Sequence, residues 1–450
     1  MSKVVKFGGS SLASAVQFKK VKAIMEADST RKFVVPSAPG KRFATDRKVT
    51  DMLYEYYDLA SSGYDMRLAG EDIRGRFLGI VHGLHLNLDL TKEFQKIEEN
   101  FRKGYGRDNA ASRGEYLNGI ILAEYLQIPF IDAAEVICFD ENGNFLPERT
   151  NDRLKERLEG VETAVIPGYY GAQPDGSIRT FSRGGSDITG SLVSRAVVAD
   201  LYENWTDVSG FLLADPRIVE NPLPISVITY RELHELSCMG ASVLHEDAVY
   251  PVKMENIPIN IRNTNRPEDP GTMIVGNTER RPSHKITGIA GKKGYCAVNI
   301  SERSEGEKGR TGNAVMSMLD EKNIPYECIP TEENKLSILM PQERFADVEK
   351  ENLFEIGTGE NPAVISLEED LALVAVGVRG ERSRHKVAGR VSRALEGAHI
   401  SIMAMDRRGG EPTTLVGVKV QDFEPAVRAI YDNFIPGDPH PSENIHLYNM

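Results

Sequence analysis

The chain has 450 residues, a length that suits more than one domain, each with a core of its own. Its formal net charge of −12 at pH 7 argues against nucleic acid or an anionic membrane as the partner, because both repel an acidic surface. Four scattered cysteines without a Cys-x-x-Cys pair, and a sequence without a long apolar run, predict a cytoplasmic localisation.

The first element is a short apolar run that ends in a glycine pair. Val4 and Val5 precede the segment Lys-Phe-Gly-Gly-Ser-Ser at residues 6–11. Glycines at a strand end let backbone N–H groups approach a phosphate, and Lys6 adds a cation at the same place. The segment therefore suits phosphate binding, although an ordinary flexible turn has the same composition.

Runs of β-forming residues alternate with amphipathic helices from about residue 3 to residue 276. Predicted strands lie at residues 4–7, 33–36, 163–167, 201–206 and 258–262, and the clearest helices lie at 67–85 and 109–127. The alternation predicts a mainly parallel sheet with helices on both faces, a fold in which ligands gather where the strands end.

A second glycine-rich segment at residues 181–190 follows a predicted hairpin turn at 173–176 and precedes a helical pattern. Arg183 offers a planar fork suited to a carboxylate, and Asp187 suits the cap of the helix. A capped helix after a surface loop explains Asp187 but not an arginine among glycines. Residues 205–217 end another strand with polar groups that suit a nucleoside, and a plain turn is the alternative there.

The pattern changes after residues 280–283, which are typical of a linker. Apolar runs at 315–319, 324–329 and 336–340 are echoed by runs at 391–395, 400–405 and 415–420. Each copy predicts a strand, a helix, two strands and a helix, so the C-terminal part is a small α+β unit duplicated once. The basic run at residues 379–393 predicts a solvated helix face.

Five motifs in order resemble the amino-acid-kinase superfamily and, within it, the aspartate kinases. They lie at residues 6–11, 112–115 (Ser-Arg-Gly-Glu), 183–187 (Arg-Gly-Gly-Ser-Asp), 206–217 and 240–245 (Gly-Ala-Ser-Val-Leu-His). The C-terminal repeat resembles paired ACT units, which are regulatory modules that bind amino acids. The resemblance implies a catalytic domain at residues 1–280, a first ACT unit at 281–366 and a second at 367–450. The expected fold is thus an α/β, mainly parallel sheet sandwiched by helices and followed by two α+β units.

The resemblance also implies the reaction and the residues that perform it. The γ-phosphate of ATP, bound with Mg²⁺, passes to the β-carboxylate of L-aspartate, the first step of lysine, threonine and methionine biosynthesis. The catalytic residues are expected to be Lys6 and Asp187. Substrate-binding candidates are Ser37, Thr50, Glu115, Tyr169, Arg183 and Ser186. Nucleotide-binding candidates are Gly8, Gly9, Ser10, Thr206, Asp207, Leu212, Arg217 and Ser242. We expect Mg²⁺ to be held chiefly by ATP phosphates and water, and no protein metal site is expected.

One position departs from the family pattern. Many relatives carry a lysine where this chain has Ser242, and that lysine helps to neutralise the ATP phosphates. Either Arg217 or Lys41 supplies the missing cation, or the nucleotide binds more weakly. The sequence leaves these alternatives open.

The first ACT unit resembles those of lysine-responsive relatives. L-lysine is therefore the expected inhibitor, bound near Gly309, Arg310, Glu327 and Thr331, with threonine as the alternative effector. A homo-oligomer, a dimer or tetramer formed through the ACT units, is also expected. The second unit departs from the family at residues 406–412, so an effector contact there is in doubt.

Two other functions remain open at this point. A relative with the same fold and a different substrate shares the glycine motifs, although the regulatory repeat, Glu115 and Arg183 favour aspartate. A catalytically weak effector-binding protein is the third hypothesis. Ser242 supports it, whereas Lys6, Arg183 and Asp187 oppose it.

Overall fold

The computed structural model describes residues 1–182, 184–238, 244, 246–277, 286–301, 310–332, 335–348, 363–379, 381–406 and 413–435. The chain divides into two compact units. The first unit comprises Met1–Phe211, Pro224–Tyr230 and Val243–Thr278, and the second comprises Leu212–Leu223, Arg231–Ser242 and Glu279–Met450. The boundaries expected from the sequence at residues 280 and 366 stay a prediction. Within the described residues, no helix is long and apolar enough to cross a membrane.

The first unit is built on a seven-stranded sheet with the strand order β3-β2-β1-β6-β8-β9-β7. A separate hairpin is formed by β4 and β5, which flank the predicted turn at 173–176. The strands are β1 (Lys3–Phe7), β2 (Arg31–Pro36), β3 (Ala164–Val165), β4 (Tyr170–Ala172), β5 (Ile178–Thr180), β6 (Leu201–Thr206), β7 (Val227–Thr229), β8 (Ile259–Asn263) and β9 (Thr272–Val275). Neighbouring strands of the seven-stranded sheet run parallel except β8 and β9, which confirms the predicted mainly parallel sheet.

Helices between these strands supply the rest of the first unit, and one of them, α9, lies mostly in the second unit. They are α1 (Ala15–Glu26), α2 (Val49–Ser61), α3 (Arg67–Gly83), α4 (Thr91–Arg102), α5 (Arg107–Leu126), α6 (Ala133–Val136), α7 (Pro147–Leu158), α8 (Gly185–Ala196), α9 (Tyr230–Cys238) and α10 (Glu246–Met254). Local sequence explains where some of them begin. Asp132 caps α6 by accepting a 3.0 Å hydrogen bond from the Ala134 N–H, and Pro147 occupies the first turn of α7, where its missing N–H costs nothing.

The core of the first unit lies between the sheet and these helices. Val5 and Phe7 of β1 and Trp205 of β6 pack with Phe18 of α1 and Leu117 of α5, and all five are essentially inaccessible to solvent. Strands buried on both faces read as continuous apolar runs, which is why these strands were visible in the sequence. The sheet therefore holds the ends of β1, β2 and β6 in fixed positions relative to one another.

The second unit contains an antiparallel six-stranded sheet with the order β11-β12-β10-β13-β15-β14. Its strands are β10 (Gly288–Ser301), β11 (Glu327–Glu332), β12 (Lys335–Pro341), β13 (Val364–Gly377), β14 (Ala404–Met405) and β15 (Thr413–Lys419). The helices that follow α10 are α11 (Arg310–Glu321), α12 (Glu381–Gly397) and α13 (Phe423–Phe434).

The duplicated pattern predicted for this region matches the chain order of the elements in the second copy, and in the first copy through its two strands; residues 349–362, where the first copy would end, lie outside the described residues. The first copy runs β10-α11-β11-β12, and the second runs β13-α12-β14-β15-α13. The long strands β10 and β13 pair with each other at the centre of the sheet, so the two copies share one sheet and one unit. Val315 and Leu319 of α11 pack on Val298 of β10, as their helical spacing predicts.

Candidate active site

The glycine turn lies where β1 ends. The Gly8 N–H donates a 2.9 Å hydrogen bond to the carbonyl oxygen of Trp205, and a short 3₁₀ helix, Gly9–Leu12, follows at once. The Gly40 N–H donates a 2.8 Å bond to the carbonyl oxygen of Gly9. A Cβ atom at Gly40 would lie 2.5 Å from the carbonyl carbon of Gly9, so only glycine permits this approach. The turns that follow β1 and β2 therefore lie side by side.

Lys6 and Asp187 form an ion pair beside this turn. The Lys6 Nζ atom is 2.6 Å from Asp187 Oδ1, and the lysine side chain is only 10% exposed. Asp187 lies in the first turn of α8, but the N-cap position is Gly184, which has a left-handed φ of 58°. The alternative interpretation of Asp187 as a helix cap is therefore wrong, because its carboxylate faces the sheet and accepts hydrogen bonds there. The pair places one cation and one carboxylate at the end of β1.

Asn204 was not singled out in the sequence, and it belongs to the same cluster. Its Nδ2 atom donates a 2.8 Å hydrogen bond to Asp187 Oδ1, the oxygen that also contacts Lys6. Asn204 stands directly opposite Lys6 in the parallel pairing of β1 and β6. An asparagine in a predicted strand, two residues before the end of that strand, was the signal available in the sequence.

Glu115 is the buried acidic group of this region. It lies on α5 and is 7% exposed, and its Oε2 atom has no hydrogen-bond partner within the described residues. Burial raises the pKa of Glu115 to about 8, although the Ala38 N–H and the charges of Arg113 and Lys6 lower it in part. A buried carboxyl with an open oxygen is suited to pair with a ligand that brings its own positive charge.

Other predicted substrate residues lie on the neighbouring elements. Ser37 directly follows β2, and its N–H donates to the Phe7 carbonyl at 3.0 Å. Thr50 is the second residue of α2, so it has a place on a helix despite the long segment that separates it from Ser37. The segment between them, residues 39–48, is rich in lysine and arginine.

Tyr169 and Ser186 lie on either side of a tight backbone contact. A Cβ atom at Gly168 would come within 2.6 Å of Ser186, and one at Gly185 would come within 2.5 Å of Tyr169. Burial raises the pKa of Tyr169 to about 12, with the nearby Glu115 carboxyl contributing. A common substrate pocket for Tyr169 and Glu115 stays a prediction.

The basic segment at residues 39–48 is folded against α3 by charges that sequence reasoning missed. Arg76 of α3 donates to the Gly40 carbonyl and lies 3.2 Å from Asp46, while Arg42 contacts Asp46 at 2.8 Å. The Arg42 guanidinium holds the pKa of Asp46 well below its usual range. Sequence separation hid this cluster, because Arg76 is 36 residues away from Gly40. The cluster fixes Gly40 against the glycine turn.

The nucleotide candidates divide between the two units. Thr206 ends β6 and Asp207 follows it in the first unit, where the Thr206 hydroxyl lies 3.1 Å from Asp207 Oδ1. Leu212 and Arg217 belong to the second unit, and Arg217 forms a 2.6 Å ion pair with Asp215 while its side chain is 88% exposed. Their joint role in nucleotide binding stays a prediction.

Several predicted residues lie at positions about which the structure says little. Arg183, Ser242 and Gly309 lie outside the described residues. Arg310 begins α11, Thr331 lies within β11, and Glu327 begins β11 opposite Leu339 with a half-buried side chain. Among the described residues, no group of three or more His, Cys, Asp or Glu side chains is arranged to hold a metal ion.

Comparisons with known proteins identify the family to which the chain belongs. A family model described as the amino acid kinase family matches residues 1–263. Aspartokinase 3 of Bacillus subtilis is 35% identical over 458 residues, which cover 97% of this chain and 99% of the relative. A bifunctional aspartokinase/homoserine dehydrogenase of Zea mays is 27% identical, and the match covers 96% of this chain and 50% of that protein.

Solved structures give the same result. The crystal structure of Clostridium acetobutylicum aspartate kinase is 45% identical, with a TM-score of 0.85 over 96% of this chain and 100% of that one. Escherichia coli aspartokinase III in complex with aspartate and ADP is 22% identical, with a TM-score of 0.71 over 96% of this chain and 99% of that one. At that identity the second match shows the fold alone.

Proposed function

Because the chain belongs to the amino acid kinase family and is an aspartate kinase, we propose that it transfers the γ-phosphoryl group of ATP to the β-carboxylate of L-aspartate. The product is 4-phospho-L-aspartate. The observation that carries this proposal is the Lys6–Asp187 pair, which lies beside a glycine turn at the end of β1. Buried Glu115 lies within electrostatic range of the same lysine.

The glycine turn and Lys6 bind the phosphates in this proposal. Gly8, Gly9 and Ser10 present backbone N–H groups, and Lys6 meets the charge that develops on the transferred phosphoryl group. Asp187 orients the lysine. Mg-ATP is the substrate, and its metal neutralises phosphate charge.

The acceptor needs alignment rather than activation. A β-carboxylate is already ionised at neutral pH, so no general base is required. Phosphoryl transfer then depends on holding the attacking oxygen in line with the γ-phosphate. The rigid sheet that carries Lys6 and the glycine turn suits that task.

Glu115 takes the α-ammonium group of aspartate in this proposal, and Arg183 takes a carboxylate. The raised pKa and open Oε2 atom of Glu115 support its role, because an ammonium group supplies the partner that this carboxyl lacks. The pocket is completed by Ser37, Thr50, Tyr169 and Ser186.

Hydroxylamine trapping of the acyl phosphate tests the reaction. The enzyme is incubated with Mg-ATP and, separately, with L-aspartate, L-glutamate, N-acetylglutamate and carbamate, and hydroxamate and ADP are both measured. We expect ADP and hydroxamate with L-aspartate. Turnover of another acceptor with none of aspartate would refute the substrate assignment. No turnover of any acceptor would instead support the weak effector-binding protein.

We further propose that L-lysine inhibits the enzyme by binding near Gly309, Arg310, Glu327 and Thr331. The ACT-like sheet supports a regulatory role, and one solved relative of the same fold is Escherichia coli aspartokinase III in complex with lysine and aspartate. A carboxylate at Glu327 suits the side-chain ammonium group of lysine and has no clear purpose for threonine. The effector acts by its different affinity for two arrangements of the regulatory unit.

Inhibition assays with lysine, threonine and methionine test the effector. We expect lysine to inhibit the wild type and to lose potency with Glu327→Ala, while Glu321→Ala on α11 serves as the acidic control. Inhibition by threonine alone would refute the lysine assignment. Lysine inhibition that is equal in the wild type and Glu327→Ala would refute the contact.

The proposal extends to the pathway, the localisation and the oligomeric state of the enzyme. The reaction is the first step toward lysine, threonine and methionine, it takes place in the cytoplasm, and the enzyme is a homo-oligomer assembled through its ACT units. Light scattering at several protein concentrations tests the assembly, and a purely monomeric species at all of them would refute it.

A further inference from the structure

Asn204 is a buried residue whose side-chain amide donates a hydrogen bond to the Asp187 carboxylate. It lies on β6, is 4% exposed, and faces Lys6 of β1 across the parallel register. Its Nδ2 atom donates to Asp187 Oδ1 at 2.8 Å, and Lys6 Nζ lies 2.6 Å from that same oxygen. One oxygen of Asp187 is therefore held by two donors from two adjacent strands.

The chemistry of an amide fits this position. A buried polar side chain costs free energy unless it is hydrogen-bonded, so the strand would hold an apolar residue here if packing were the sole requirement. An amide donates a hydrogen bond without carrying charge, and it leaves the charge of the Lys6–Asp187 pair unchanged. It also cannot take a proton from Lys6. The amide thus fixes the carboxylate and adds nothing to the electrostatics of the pair.

We propose that Asn204 is a positioning residue for phosphoryl transfer, which holds Asp187 so that Lys6 keeps its place at the end of β1. The inference rests on the proposed function. It concerns how the cluster is held rather than which substrate is used. Loss of the amide leaves the ion pair free to adopt other geometries. Because alignment matters most in the transition state, this loss should lower kcat more than it weakens substrate binding.

Tyr202 offers a matched control on the same strand. Its hydroxyl donates its hydrogen bond to the backbone carbonyl of Asp187, at 3.2 Å, rather than to the carboxylate. Tyr202→Phe removes a buried hydrogen bond to the same residue and leaves the Asn204 amide in place. A general loss of packing or stability affects both variants, whereas loss of carboxylate positioning affects only the Asn204 variant.

The first test compares Asn204→Leu with Tyr202→Phe. We expect Asn204→Leu to lower kcat on the order of tenfold with the KM for aspartate changed less than twofold, and Tyr202→Phe to keep kcat within about twofold of wild type. An unchanged kcat in Asn204→Leu, or an equal loss in both variants, overturns the proposal.

Asn204→Asp supplies a second test, the pH dependence of kcat, which a purely structural role of Asn204 would leave unchanged. The charged and titratable groups around this position are Lys6 of β1, Asp187 of α8 and Tyr202 of β6, and Glu115 of α5 interacts electrostatically with Lys6. A carboxylate beside Asp187 is repelled, while its protonated form donates the hydrogen bond of the native amide. We expect the ratio of variant to wild-type kcat to rise as the pH falls from 8.5 to 6. A kcat ratio for Asn204→Asp that is independent of pH overturns the proposal. This test remains decisive if Asn204→Leu does not fold.

A crystal structure of Asn204→Leu separates this inference from the proposed function. We expect the Asp187 carboxylate to turn and the Lys6 ammonium to shift, whatever substrate the enzyme uses. An unmoved Lys6–Asp187 pair overturns the positioning role. Failure of the wild type to phosphorylate aspartate refutes the proposed function alone.

Discussion

If Glu115 pairs with the α-ammonium group of aspartate, as proposed above, aspartate binding should depend on pH. The carboxyl is buried and its pKa lies at about 8, so most of the free enzyme carries a neutral Glu115 at pH 7. An ammonium group pairs with the carboxylate and not with the neutral acid. Binding of aspartate should therefore release a proton from Glu115, and the apparent affinity should rise as the pH rises toward the pKa.

The size of the effect follows from the pKa. The apparent Kd scales with 1 + 10^(pKa − pH), and for a pKa of about 8 this factor falls from about 33 at pH 6.5 to about 4 at pH 7.5. Aspartate should thus bind about eightfold more tightly at pH 7.5 than at pH 6.5. At pH 7, about 0.9 proton should be released for each aspartate bound.

Isothermal titration calorimetry measures both quantities. Titrations of aspartate at pH 6.5, 7.0 and 7.5, in two buffers with different heats of ionisation, give the Kd and the number of protons released. Glu115→Gln should bind more weakly and lose both the pH dependence and the proton release. Glu124→Gln, an exposed position on the same helix, should behave as wild type. A Kd that is constant over this range in the wild type would refute the reasoning.

Two further predictions concern the ends of β1 and β6. Lys6→Ala should lower kcat by about 10² to 10³, because its charge acts most strongly on the transferring phosphoryl group, and a kcat within tenfold of wild type in steady-state assays would remove it from that role. Glu203→Gln should lower the free energy of unfolding in urea by about 3–5 kcal/mol, because Arg31, 2.7 Å away and buried, loses its charged partner. The exposed pair of Asp65 with Arg67 provides the control, and equal midpoints for Glu203→Gln and the wild type would contradict this prediction.

Much of the fold was predictable because local patterns of apolar residues and glycines indicate its strands, helices and turns. The strand predicted at residues 201–206 is β6, and the helix predicted at 67–85 matches α3 within two residues. Strands buried on both faces give apolar runs bounded by glycine, and the duplicated unit repeats its apolar spacing. The glycine turn and Lys6 were found for the same reason, since a strand end and its first turn are contiguous in sequence.

The contacts that complete the candidate site could not be predicted in this way. The three-residue cluster of Asn204, Asp187 and Lys6 depends on β6 lying beside β1, because this pairing places Asn204 opposite Lys6, which is 198 residues earlier in the chain. The strand order of a sheet is a tertiary property, and no local pattern reveals it. The same holds for Arg76, which reaches Gly40 and Asp46 from another helix.

The prediction from the charge pattern was wrong at Arg379, again because the partner is distant in sequence. The basic run at 379–393 predicted a solvated helix face, yet Arg379 precedes α12 and forms a 2.8 Å ion pair with Glu232 in which both side chains are largely buried. A buried partner more than a hundred residues away changes the meaning of a surface-like arginine. Composition alone cannot distinguish the two situations.

The Arg379–Glu232 pair also lies in a region where the family match and the compact units do not coincide. The family match covers residues 1–263, yet two segments inside it, 212–223 and 231–238, belong to the second unit. They are held there by Glu232 and by Tyr431 of α13, whose hydroxyl accepts a 2.9 Å hydrogen bond from the Leu223 N–H.

The chain consequently passes between the units after Phe211, after Leu223 and after Tyr230, in addition to the crossings nearer residue 280. Residues 212–223 follow β6 and residues 231–238 follow β7, so segments inside the family match belong to the same compact unit as the six-stranded sheet. The two units are therefore interleaved along the chain.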